Sequence, residues 1–138
     1  MQNGTHSTPD LQRMGKNMEI QKIDGDFSVC KVRDFSKVQF DSPFCFIGKT
    51  DAENSLVCRT EIVPDNTVAR EDGWKACRIQ GVLDFSLVGI LSEISANLAK
   101  HKIGIFAVST YNTDYIFTKA VDFENAMQAL AAAGYTIV

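Results

Sequence analysis

"GWKACRIQGVLDFSLVGILSEISANLAKHKIGIFAVSTYNTDYIFTK", residues 73–119, decides the fold. The turn pair Asp72-Gly73 introduces a short strand, Trp74 to Ile79. Gln80 to Ser86 read as a loop. From about Ser86 to His101 the apolar period changes: Leu87, Leu91, Ile94 and Leu98 line one face of a helix. Glu93, Asn97 and Lys100 take the opposite side, and Gly89, Ser92 and Ala96 form a strip of small residues. Lys100, His101 and Lys102 gather where the helix dipole favours positive charge. Ile103 to Ser109 then read as a strand, with Asp114 to Lys119 as its hairpin partner.

Toward the C-terminus, Asp122 is a good N-cap for a second helix with Phe123, Met127 and Leu130 inward. Gly134 is the expected left-handed terminator, and "YTIV" a closing strand. The order βαββαβ is the ferredoxin-like arrangement, which makes this half an α+β unit. Toward the N-terminus the same order is degraded. Phe27 to Val32, Phe44 to Lys49 and Ser55 to Thr60 read as strands, but "RDFSKVQFDSP" and "VPDNTVARED" hold no more than a helical turn or two. The expected organisation is a flexible polar tail over 1–17, a degenerate, mostly β subdomain over 18–72, and a complete α+β subdomain over 73–138, the last two packed together. Ile103 to Ser109 is apolar on both faces, so a second cover is expected: the first half, a second chain, or both.

Composition narrows the function. The 138 residues hold 45% hydrophobic side chains, enough for a core, and a net charge of −3. The 14 basic residues are scattered, which argues against a nucleic-acid partner. No apolar run reaches the ~20 residues of a bilayer span, and the first residues lack a signal-peptide core. A cytoplasmic protein with no membrane partner is expected. Cys30, Cys45, Cys58 and Cys77 each sit in apolar stretches with no CxxC, so reduced, buried thiols are expected rather than a metal site or redox pair. No cofactor is implied.

Between the two hairpin strands stands the polar island Ser109-Thr110-Tyr111-Asn112-Thr113-Asp114. A hairpin turn needs fewer such groups. Residues 73–138 resemble the ACT domain family, small regulatory modules of amino-acid metabolism. The similarity is closest to short tandem ACT-like proteins related to the ACT repeats of aspartate kinases and of the cytosolic arginine sensor. It is carried by "LDFSLVGIL" and "IFAVSTYNTDYI", and less specifically by "KTDAENSLVC" in the first half, covering about Phe27 to Gly134. The resemblance implies an amino-acid site between two segments. One is Gln80, Gly81, Val82, Leu83, Asp84, Phe85 and Ser86; the other is Ser109, Thr110, Tyr111, Asn112, Thr113 and Asp114. It also implies a homodimer and a regulated enzyme partner. The family often has Gly near the end of the first helix; here "HKI" stands, and His101 is a tolerable left-handed residue.

Elementary chemistry leads to the same place. Unpaired N–H groups at a helix start near Ser86 suit an α-carboxylate. Gly81 lets backbone approach a ligand, and Asp114 suits an α-ammonium. Other readings of these residues stand beside this one. Asp84 or Ser86 is a helix cap, Asn112 to Asp114 is turn chemistry, and Val82, Phe85 and Tyr111 are pocket walls or packing. Two functions therefore compete: an amino-acid-binding regulatory domain without catalysis, and a ligand-free assembly module. An enzyme is disfavoured, because no nucleophile–base pair or phosphate loop is found.

Overall fold

The computed structural model describes residues 18–81 and 87–138. The expected tail over 1–17 lies outside them. The elements are β1 (Met18–Val32), β2 (Phe46–Lys49), β3 (Asn54–Arg59), a 3-10 turn (Thr60–Ile62), β4 (Thr67–Gly81), α1 (Leu87–Lys100), β5 (Ile105–Ser109), β6 (Asp114–Lys119), α2 (Ala120–Ala132) and β7 (Thr136–Ile137). Two strands are far longer than the sequence pattern indicated. Thr67 to Glu71, expected as a helical turn, open β4, and Gln80 and Gly81 close it rather than begin a loop. Val68 to Asp72 are exposed, so this part of β4 shows none of the alternation that marks a half-buried strand.

The chain forms two compact units, residues 18–23 with Ala76–Val138, and Asp24–Lys75. The expected partition put residues 18–23 with the first half. Their contacts are with the second, because Met18 and Ile20 enter its core and Glu19 and Ile20 pair with Thr136 and Ile137.

In the first unit the strands run β7-β1-β4-β6-β5. β6 lies between β4 and β5, the split βαβ signature of a ferredoxin-like fold. β1 stands between β4 and the closing strand β7, parallel to β7. The helices cover one face. Ile90, Ile94 and Leu98 of α1, and Phe123, Ala126, Met127 and Leu130 of α2, pack with Ile20, Cys77, Ile79 and Ile116. Each fully buried Ile or Leu contributes about 1.5–3 kcal/mol. The buried stripe of α1 is turned from the expected one, centring on Ile90 with Leu91 only partly buried. Glu93 is also not purely solvated, since it accepts the Tyr135 hydroxyl.

Both helix ends follow from backbone chemistry. At α2, Gly134 takes φ +110 and Tyr135 N–H bonds the Leu130 carbonyl at 3.1 Å, the expected left-handed stop. At α1 the left-handed residue is Lys102, φ 62, not His101; Ile103 N–H reaches the Leu98 carbonyl at 2.9 Å. The start of α2 also departs from expectation. Its N-cap is Lys119, with no side-chain cap, and Asp122 lies in the first turn, where negative charge suits the dipole.

In the second unit β3 pairs with β1 (Phe27 opposite Arg59, Lys31 opposite Ser55) and with β2. Cys30, Val32, Leu56 and Cys58 form its small core. The fully buried Ser28 donates to Asp72 at 2.5 Å and meets the Thr60 hydroxyl at 2.9 Å. Gly25, φ +99, lies under the Arg59 guanidinium; a Cβ there would come within 2.5 Å of Nη1.

Candidate functional site

The ends of β4 and β5 and the start of β6 share one edge of the first unit's sheet. Strand register places Ser109 directly opposite Asp114. The Ser109 hydroxyl donates to the Asp114 carboxylate at 2.5 Å, and Asp114 is only 5% exposed. Between them, Thr110 N–H bonds the Thr113 carbonyl at 2.8 Å, and the Thr110 hydroxyl donates to that carbonyl at 2.9 Å. Thr113 in turn donates its hydroxyl to the Ile79 carbonyl at 2.6 Å, tying the turn to β4. Asn112 is exposed, and Tyr111 fully so.

The structure thus brings Ser109 to Asp114 together beside the end of β4, where Gln80 and Gly81 sit. Four of the six, Ser109, Thr110, Thr113 and Asp114, already have side-chain hydrogen bonds within the turn or to β4. Val82, Leu83, Asp84, Phe85 and Ser86, the other half of the expected site, lie outside the described residues.

One constellation was not singled out in the sequence. Arg78 of β4 donates from Nε to Gln80 Oε1 (3.1 Å), from Nη1 to the Tyr115 hydroxyl (3.1 Å) and from Nη2 to Gln21 Oε1 (2.5 Å). The alternation in "ACRIQ" was the available signal: Cys77 and Ile79 point to the core, so Arg78 and Gln80 point away from it.

Groups that perform nucleophilic chemistry are poorly set for it. Burial pushes the Cys58 and Cys77 thiols up to about 12, and raises Cys30 and Cys45. No two of the four cysteines are bonded to each other. His101 is exposed at the end of α1, its Nδ1–H donating to the Asn97 carbonyl at 2.9 Å. Among the described residues, no three His, Cys, Asp or Glu side chains cluster as metal ligands. No helix among them is long and apolar enough to cross a membrane. An open groove of about 380 Å³ lies between α1 and α2 at the far edge, lined by His101, Lys102, Asp122, Asn125 and Gln128.

An ACT-domain family profile matches residues 69–132, which span β4 to the end of α2. Over these residues the chain is similar to an ACT domain. The matched segment lies in the unit with the split βαβ order and two helices on one face. No curated protein sequence matches the chain. Among solved structures, a protein from Agrobacterium tumefaciens is similar at 25% identity and TM-score 0.79, over 88% of this chain and 92% of that one. A protein of unknown function from Vibrio cholerae is similar at 18% identity and TM-score 0.71, over 92% and 98%. The aspartate kinase of Clostridium acetobutylicum, an allosteric enzyme, is similar at 16% identity and TM-score 0.59, over 84% of this chain and 34% of the kinase.

Proposed function

We propose that the protein binds a free amino acid at the edge formed by residues 80–86 and 109–114 and passes that signal to a partner, with no catalysis of its own. One observation carries the reading. Asp114 is a nearly buried carboxylate, pinned by Ser109 and by strand pairing, within the segment similar to an ACT domain. A carboxylate held this way attracts an α-ammonium without first losing side-chain freedom. The N-terminal end of α1, at Leu87, is the end where helix N–H groups and the dipole favour an α-carboxylate. The same reading takes the protein as a homodimer acting in the cytoplasm on a regulated enzyme.

A thermal-shift screen against the twenty amino acids tests it. A ligand at ~100 times its dissociation constant adds about 2.7 kcal/mol, several degrees for a domain of this size. Stabilisation by one or a few amino acids is expected. If none stabilises, the ligand-free assembly module is the better reading.

A further inference from the structure

The sheet of the first unit has a second face, away from the helices, and on it the described residues that hold Arg78 are all neutral. Its three hydrogen-bond partners are Gln80, Tyr115 and Gln21. Its guanidinium carbon also stands 5.7 Å from the centre of the Tyr115 ring. All four residues are half-buried. No carboxylate of a described residue forms an ion pair with Arg78. A half-buried cation without a counter-charge is costly unless water or a ligand supplies one.

The donor inventory sharpens this. A guanidinium has five N–H groups and no acceptor. Three are used, which leaves one on Nη1 and one on Nη2. Gln21 and Gln80 must turn their carbonyl oxygens toward Arg78, because the opposite orientation would set N–H against N–H. Their amide NH2 groups therefore face away from it, and among the described residues no hydrogen bond engages them. The patch holds a positive charge and a surplus of donors, and each of its three acceptor oxygens already takes one bond from Arg78.

We infer that Arg78, Gln21 and Gln80 form a binding site for the carboxylate of a small organic acid. The planar fork of Arg matches two carboxylate oxygens, and the amides extend the donor set. The Tyr115 ring supplies an apolar wall for the carbon skeleton. This site shares Gln80 with the proposed amino-acid edge but opens on the other sheet face: Asp114 lies on the strand face that carries Ile116, and Tyr115 on the opposite one.

Sodium succinate is the probe, compared with sodium chloride at equal ionic strength by thermal melting of the full chain. Succinate is expected to raise the melting temperature of the wild type beyond chloride. Arg78→Gln removes that difference, whereas Lys100→Gln, an equal charge change at an exposed site, keeps it. Gln21→Glu places a counter-charge beside Arg78; it is expected to fold with unimpaired stability and to lose the succinate response. Asp114→Asn is expected to keep the response, which separates this site from the amino-acid site. The inference fails if succinate acts no differently from chloride, or if Gln21→Glu responds like wild type. It fails equally if Asp114→Asn abolishes the effect. A larger response to phosphate than to succinate would overturn the carboxylate assignment.

Discussion

Asp114 shows how burial changes what a single residue does. An exposed turn carboxylate contributes little to stability, but Asp114 is 5% exposed and accepts the Ser109 hydroxyl. Asp114→Asn keeps the shape and loses the charge, and buries an amide N–H among groups arranged for an acceptor. We expect a loss of about 1 kcal/mol without ligand and a fall of about ten- to a hundredfold in amino-acid affinity. Chemical denaturation and calorimetric titration read the two effects separately; an unchanged affinity would remove Asp114 from the proposed site. Asp72 offers a second test. The Ser28 hydroxyl first, and Arg70 beside it, hold its carboxyl below the usual carboxylate range. The stability this supplies is present above the unfolded value, near ~3.9, and is lost as pH falls through the lower folded value. Ser28→Ala is expected to move the Asp72 titration back up, a change visible by NMR.

At the scale of the element, the two helix stops make opposite forecasts. Lys102 holds φ 62 where glycine would be free of strain. Lys102→Gly is expected to stabilise the protein by roughly 1 kcal/mol, and Gly134→Ala, at φ +110, to destabilise it by about 1–2 kcal/mol. Thermal melts of both variants check the pair. The sequence marked these stops to within one residue because glycine and turn residues act locally. It marked β6, and the bounds of α1 nearly so, because apolar spacing there reports real burial. It missed the length of β4, since Val68 to Asp72 are exposed and nothing in their side chains records the pairing. It missed the place of β1 for a different reason: "MEIQKI" alternates visibly, but no local signal names β7 as its neighbour. The island Ser109 to Asp114 was legible as a polar cluster, while the engagement of Thr113 with Ile79 was not, because that bond joins residues far apart in sequence.

For the molecule as a whole, the matched ACT segment is not the folding unit. Residues 69–132 omit β7 and all of β1, yet Met18, Ile20 and Tyr135 are among the core residues of the helix-covered unit. A chain lacking residues 18–23 is expected to lose cooperative melting, although the deletion lies far upstream of the matched segment. Circular dichroism and amide exchange would show it; a normal sharp transition would mean that the β1 strand is dispensable. The backbone pairing of Glu19 with Thr136 and of Ile20 with Ile137 also has a consequence in time. During synthesis, Ile20 leaves the ribosome on the order of ten seconds before Ile137 is made, at roughly 5–20 residues per second. Through that interval the start of β1, with Met18, Ile20 and Ile23 buried, lacks its β7 neighbour. Contacts of such long sequence separation also form slowly. The nascent chain is therefore a natural client for a chaperone that shields extended apolar segments, and its yield in the cell should depend on translation speed more than its equilibrium stability would indicate.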